Sequence, residues 1–429
     1  MLILVGCCAI QIAGALYYWS AFVKNGYLPS PFINDKADTF MDFFHPLFWA
    51  GDGSPYTVWG SVYPPVNFLF LKGALWFLVG DMRFLDAFAL RESAQSAWVY
   101  LVFVYLIVAA FAFRPDLWRG FTNFERFLAY LIAALSSPML FALERGNLIV
   151  FSLPFLALAL AKSDWKRAGA IGMLINIKPY FAFFLLTFAV TRRLDQLGAS
   201  TLVAGLIFLI SGVILDLHFL AFFENLLQFS RDAAFSGREL LSMPSSISAF
   251  AQVLRTHYGQ GGNFFFENID ALMVADAVEF IKWFACATTI LCLAMAWRSL
   301  SVEEALAVST VVITNLGVWV GGYSLILYIV VVPIFLRMRF RWIYLGLVVL
   351  ILSPLDAITI TAENIGPQFA YLSGAQLDII WQLSFGAVLR PVLNFGLLFA
   401  LTLEMLLMYI SGLEPGSHQM IAKLNGVNS

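Results

Sequence analysis

Two aspartates four residues apart, Asp38 and Asp42, open the first long polar interruption of this chain, which runs from Asn34 to Pro65. Asp35, Asp52 and one lysine, Lys36, share the stretch, followed by Ser54-Pro55-Tyr56 and Tyr63-Pro64-Pro65. A carboxylate at a membrane edge can take the proton of an attacking hydroxyl, which is general-base chemistry. The same acids would also serve as solvated loop residues or helix caps. Positions four apart share one helix face, so spacing alone does not choose between Asp38 and Asp42.

A second residue asks for an explanation. Lys178 stands in the middle of an apolar segment and is followed by Pro179. A lysine at the centre of a membrane helix costs about 2.5–3.5 kcal/mol on insertion scales. An acidic partner, snorkelling to the interface or a bound phosphate must offset that cost. Arg145 sits in a short turn beside Glu144, where it reads either as an exposed residue or as a guanidinium for phosphate oxygens. Asn147, at the start of the next apolar run, suits an N-cap. A later polar stretch, 223–270, carries Arg231, Arg238 and His257; it is long enough to fold over a cavity, and its mixed charge suits an anionic head group. Most of its charges read as ordinary solvated residues.

The elements that must position these groups belong to a membrane. The chain has 429 residues, 61% hydrophobic and 12% charged, with a mean hydropathy of +0.83. Soluble domains carry about 25% charged residues, and no soluble core of this size buries so much apolar surface. The net charge of −2 offers nothing to nucleic acid. Cys7, Cys8, Cys286 and Cys292 lie in apolar runs without metal-ligand spacing, as small packing residues do. Leu4-Val5-Gly6-Cys7 resembles a lipoprotein cleavage site, but no basic region precedes it and the apolar run continues to Val23, so an uncleaved first membrane helix is expected.

Apolar segments suited to spanning occur at 2–23, 95–113, 126–143, 147–161, 200–222, 273–297, 303–320, 323–337, 341–354 and 388–411. Basic clusters at Lys162-Lys166-Arg167, Arg192-Arg193, Arg298 and Arg337-Arg339-Arg341 should all be cytoplasmic. Only one apolar segment, 168–190, separates the first two clusters. Lys178-Pro179 resolves the parity: proline lacks an amide donor and disfavours helix at the residue before it. Two short helices, 168–177 and 180–190, are therefore expected to rise into the membrane and return, with Lys178 near the apex. A charged break of this kind is tolerated where it lines protein or a wet cavity. Segment 64–80, opening on Pro-Pro and carrying Lys72, suits an interfacial helix.

The expected fold is thus all-α and polytopic, with about 12 membrane helices counting the short pair. It forms one domain over 1–411, with external loops at 24–94 (juxtamembrane and catalytic) and 223–270 (a lid), and a cytoplasmic tail at 412–429. No Gly-rich phosphate loop, zinc-type histidine pair or serine elbow is present, which counts against nucleotide-driven transport and zinc proteolysis. No metal site or cofactor is expected.

In order and spacing, these motifs resemble the GT-C superfamily of membrane glycosyltransferases, and within it glycosyltransferase family 87. The resemblance covers roughly residues 30–340 and rests on an acid opening the first external loop (Asp38), Gly51 to Tyr56 as Gly-x-x-x-Pro-Tyr, and Tyr63-Pro64-Pro65. It continues through Gly146-Asn147, Ala168-Gly169, Lys178-Pro179-Tyr180 and Arg192-Arg193. The spacing to Pro-Tyr favours Asp38 as the matching acid, with Asp42 kept open. Family members often carry a histidine in a Ser-Trp-x-His-like stretch; here Gly321-Gly322-Tyr323-Ser324 takes that place, and Tyr323 is the partial substitute.

The resemblance implies an inverting transfer of a hexose, mannose-like, from a polyprenyl-phosphate donor to a lipid or glycan acceptor at the outer face of a bacterial inner membrane. Asp38 or Asp42 would deprotonate the acceptor. Lys178 and Arg145, with Arg231 and Arg238, would meet the donor phosphate; Tyr56, Tyr63, Asn147, Tyr180, Tyr323 and His257 would contact substrate. Two other readings share some features. Broken helices also occur in transporters and flippases of lipid-linked saccharides, but no matching break appears in the other half of the chain. A polymerase or ligase of such saccharides would want a later external loop richer in arginine than Arg231, Arg238 and Arg255 provide.

Overall fold

The computed structural model describes residues 1–32, 38–80, 84–93, 97–160, 163–215, 218–232, 237–259, 271–317 and 320–411. Asp35, Lys36 and the tail 412–429 lie outside the described residues, as do the side chains of Arg231, Arg238 and His257.

The centre of the bundle is the helix Val302–Asn315, in which every residue from Ala305 to Asn315 is buried. A helix apolar nearly all round belongs in a core, and two of its hydroxyls are satisfied locally: those of Ser309 and Thr310 donate to the carbonyls of Ala305 and Leu306, at 2.8 and 2.9 Å. Its start is fixed by a capping box between Ser301 and Glu304.

The helices around it are membrane elements of two lengths. Leu2–Asn25, Leu194–Ile214, Ala271–Met295 and Phe385–Ser411 are each long and apolar enough to cross a membrane. Asn123–Ala134 and Ser137–Arg145, bent by 57°, make a fifth if taken together. Among the described residues, four or five helices of spanning length are thus accompanied by six shorter apolar ones. The other apolar helices, such as Leu148–Ala159 and Arg341–Leu352, have 10–17 residues; at about 1.5 Å per residue most fall short of a bilayer core of about 30 Å. Pro138 illustrates the shortening, starting a new helix where the old one ends, with Ser136 as its N-cap.

The segment carrying Lys178 breaks at the expected residue. Asp164–Ile177 is helical, Lys178 is extended (φ −140°, ψ 121°), and Pro179–Ala182 and Phe183–Val190 resume as a 3-10 turn and a helix. Arg167 Nη2 reaches Glu303 Oε1 at 3.0 Å, and Arg193 Nη2 donates to the Leu300 carbonyl, also at 3.0 Å. Both basic ends of the segment therefore return to the start of the central helix. Pro65–Val79 packs over the break, Asn67 Nδ2 donating to the carbonyls of Asn176 (2.9 Å) and Ile177 (3.3 Å). Asn67 thus satisfies acceptors that the broken helix leaves open.

The all-α expectation needs one correction. Strands β1 (Thr359–Ala370) and β2 (Ala375–Ser384) form an antiparallel hairpin with Gly366 in a bulge. Thr359-Ile360-Thr361 and Ile379-Ile380-Trp381, rich in β-branched and aromatic residues on either side of Ser373-Gly374, are the signal for it. Stretch 223–270 is likewise not a plain loop, since Ala221–Asp232, Gly237–Ser242 and Ser248–Gly259 are helical.

Candidate active site

The turn before Met41–Asp52 brings both aspartates to one guanidinium. Phe40, between them, has φ 62°, a left-handed conformation that a bulky residue adopts only when its surroundings impose it. They do so here: the Phe40 amide donates to the Glu144 carbonyl (2.7 Å), and the Thr39 hydroxyl donates to Glu144 Oε1 (2.9 Å). Arg145, next in the chain, then bonds Asp38 Oδ1 through Nη1 and Asp42 Oδ1 through Nη2, the latter at 2.7 Å.

Asn147 completes the grip on Asp42. Its Nδ2 donates to Asp42 Oδ2 at 2.7 Å while its Oδ1 accepts the Ile149 amide at 3.0 Å, so it is N-cap and acid-holder together. Gly146 is required for this turn. Its φ is +68°, and a Cβ there would meet Phe43 Cβ at 2.9 Å and the Phe40 carbonyl at 3.2 Å. Tyr105 adds a hydrogen bond to the Gly146 carbonyl, at 2.7 Å. Burial acts to raise the Asp42 carboxyl, yet Arg145, with smaller contributions from Asn147 and Lys178, holds it below its ordinary value.

Lys178 comes to the same place from the helix break. Its ammonium lies 4.5 Å from the centre of the Tyr63 ring and 5.9 Å from that of Tyr323. Asp42 is within electrostatic reach, but Lys178 makes no ion pair with any described carboxylate. Tyr323 lies beside the Asn147 side chain. Tyr180 stands within electrostatic reach of Tyr63 and Tyr323, and its hydroxyl has no hydrogen-bond partner among the described residues. Asp38, Asp42, Arg145, Lys178, Tyr63, Tyr180 and Tyr323 are all half-buried, not sealed.

Eight expected site residues, Asp38, Asp42, Tyr63, Arg145, Asn147, Lys178, Tyr180 and Tyr323, therefore converge, although they come from separate parts of the chain. Tyr56 takes a different place: it is buried between Phe68 and Phe222, and its hydroxyl donates to the Tyr63 carbonyl at 2.8 Å, supporting Tyr63 from behind. Sequence reasoning missed Thr39, the carbonyl and carboxylate of Glu144, Asn67, and Arg91, which is fully buried and donates to the Thr39 carbonyl. Arg91 carried at most a weak signal, following the apolar run Ala87-Phe88-Ala89-Leu90 in the short helix Ala87–Ser93 but standing beside Glu92. Among the described residues, no three His, Cys, Asp or Glu side chains gather as metal ligands would.

Fold and site together define a helical membrane protein in which two acids, Arg145 and Lys178, the last without an ion pair among the described residues, meet beside a helix break. The profile of glycosyltransferase family 87 matches residues 62–321, more than half of the chain. The chain belongs to that family, and is a glycosyltransferase. No curated protein and no solved structure matches it. The matched region includes Tyr63, Arg145, Asn147, Lys178 and Tyr180; Asp38 and Asp42 precede it and Tyr323 follows it by two residues.

Proposed function

We propose that the protein transfers a hexose from a polyprenyl-phosphate donor to a hydroxyl of a lipid or glycan acceptor, with inversion, at the outer face of a bacterial inner membrane. The observation that carries this reading is Lys178: a half-buried ammonium on two tyrosine faces, without a carboxylate of its own, beside two carboxylates that already share an arginine. The excess charge of two carboxylates over one guanidinium reaches Lys178 only at a distance, which leaves its three N–H donors for a ligand, and a lipid phosphate would take them.

In the proposed reaction the acceptor oxygen attacks the anomeric carbon, and the bond from that carbon to the phosphate oxygen breaks. Its electron pair leaves on the phosphate, where Lys178 stabilises the growing charge. The acceptor proton passes to a carboxylate. We assign that role to Asp38, the acid that the spacing to Pro55-Tyr56 favours, with Arg145 holding it beside Asp42. Arg145, expected at the phosphate, is forked between the two acids and acts here as their positioning group. Tyr63, Tyr180 and Tyr323 offer ring faces and hydroxyls to the sugar.

The test is transfer of label from radiolabelled polyprenyl-phosphate hexose to a lipid or glycan extract by purified protein in detergent. Lys178→Met should raise the donor KM and lower kcat, and Asp38→Asn should lower kcat at least 100-fold, the lower end of about 10²–10⁴ for a positioned acid or base. Full transfer by Lys178→Met would remove the phosphate assignment. Full transfer by both Asp38→Asn and Asp42→Asn would remove the base.

A further inference from the structure

Strands β1 and β2 lie outside the part of the chain that the family profile matches, yet their tip reaches the candidate active site. A two-stranded hairpin alone is marginally stable in water, so its docking decides where it sits. At one flank Tyr27 Oη accepts the Ile380 amide at 3.1 Å, and Tyr27 packs with Ala370 and Ile379. At the tip, the Tyr371 ring lies 3.6 Å from Arg91 Cζ and makes an edge contact with Phe40, centroid to centroid 6.2 Å. A narrow cavity between tip and loop is lined by Tyr27, Thr39, Glu144 and Tyr371, among others.

We propose that Tyr371 is a positioning residue for the transfer reaction, setting Asp38 through Arg91 and Thr39; this rests on the reading of Asp38 as the base. The chain of contacts is continuous. Tyr371 covers the buried Arg91 guanidinium; Arg91 donates to the carbonyl of Thr39, and Thr39 is bonded to Asp38 through the backbone and to Glu144 through its hydroxyl. A desolvated guanidinium on a tyrosine face is held more firmly than an exposed one. Phe40, whose left-handed backbone sets the angle between Asp38 and Asp42, has its ring against the same tyrosine. Removing the π face would loosen the turn while leaving Lys178 and the donor contacts intact.

The experiment compares Tyr371→Phe with Tyr371→Leu in the full chain, using the labelled donor. Phenylalanine keeps the π face and should keep kcat within about two-fold; leucine keeps apolar volume and should lower kcat about ten-fold, with donor KM unchanged. In an Asp38→Asn background, which retains residual transfer, the leucine change should have no further effect, because there is no base left to position. Equal kcat for the two Tyr371 variants, a loss confined to donor KM, or an undiminished ten-fold loss in the Asp38→Asn background would each overturn the inference. Thermal unfolding in detergent separates these outcomes from failure to fold, and if Tyr371→Leu does not fold, Tyr371→Met replaces it. If Asp38→Asn itself retains full transfer, the base assignment fails instead, and the two failures are distinguishable.

Discussion

Arg145→Lys isolates what the forked guanidinium does. One Arg145 side chain bonds Asp38 through Nη1 and Asp42 through Nη2. A lysine ammonium keeps the charge but lacks the planar fork that spans two carboxylates in fixed directions. It satisfies one acid well and leaves the other under-bonded. A hydrogen bond to a charged group contributes about 1.5–3 kcal/mol. The side chains are 17–20% exposed, so water partly compensates and the lower half of that range applies. The expected loss in kcat/KM is therefore about 10- to 50-fold, at about 1.4 kcal/mol per ten-fold. The assay is initial-rate transfer from labelled polyprenyl-phosphate hexose, with Arg145→Gln as the charge-removed comparison. Glutamine should lose more than lysine, since the two carboxylates then lose the cation between them. Wild-type kcat/KM in Arg145→Lys, or equal losses in the two variants, would show that the fork does not set the acids and would refute this reasoning.

Two further outcomes follow from the same turn. Gly146→Ala forces a Cβ against Phe43 and the Phe40 carbonyl at a φ of +68°; a cost of about 1–3 kcal/mol is expected, read as a lower unfolding midpoint in detergent together with lost transfer, and an unchanged midpoint would contradict the packing described. Asp42, with its folded-state carboxyl held below its ordinary value, contributes stability that is complete above an unfolded pKa of about 3.9 and is lost as pH falls through the folded value. The midpoint difference between the native chain and Asp42→Asn should accordingly stay constant from pH 8 to about pH 5 and shrink only below about pH 4; a difference that shrinks between pH 7 and pH 5 would mean the carboxyl is not held acidic.

Local chemistry made part of this protein readable in one dimension. Pro179 favours the break at Lys178, because its ring disfavours helix at the preceding residue and removes an amide donor, although Pro46, Pro333 and Pro391 are accommodated inside helices. Gly146 and Asn147 end one helix and start another by conformational and capping preferences confined to a few residues. Overall apolarity made the chain a membrane protein, and the order of short motifs pointed to its family. Helix length was less legible, since apolar runs do not reveal where prolines, 3-10 turns and bends divide them.

What residues in sequence could not decide is which charge answers which. Arg145 lies more than 100 positions from Asp38 and Asp42, and Arg91 is about 280 positions from Tyr371; pairing at such separations depends on packing, not on local preference. The sequence alone determined that Lys178 would sit at a break in an apolar segment and need a counter-charge. Only the tertiary structure decided that Asp38 and Asp42 would be shared by Arg145, leaving the lysine on two tyrosine rings without a carboxylate of its own. The reason is geometric: Arg145 takes the hydrogen bonds of both acids, so Lys178 meets their excess negative charge only at a distance and makes no ion pair among the described residues.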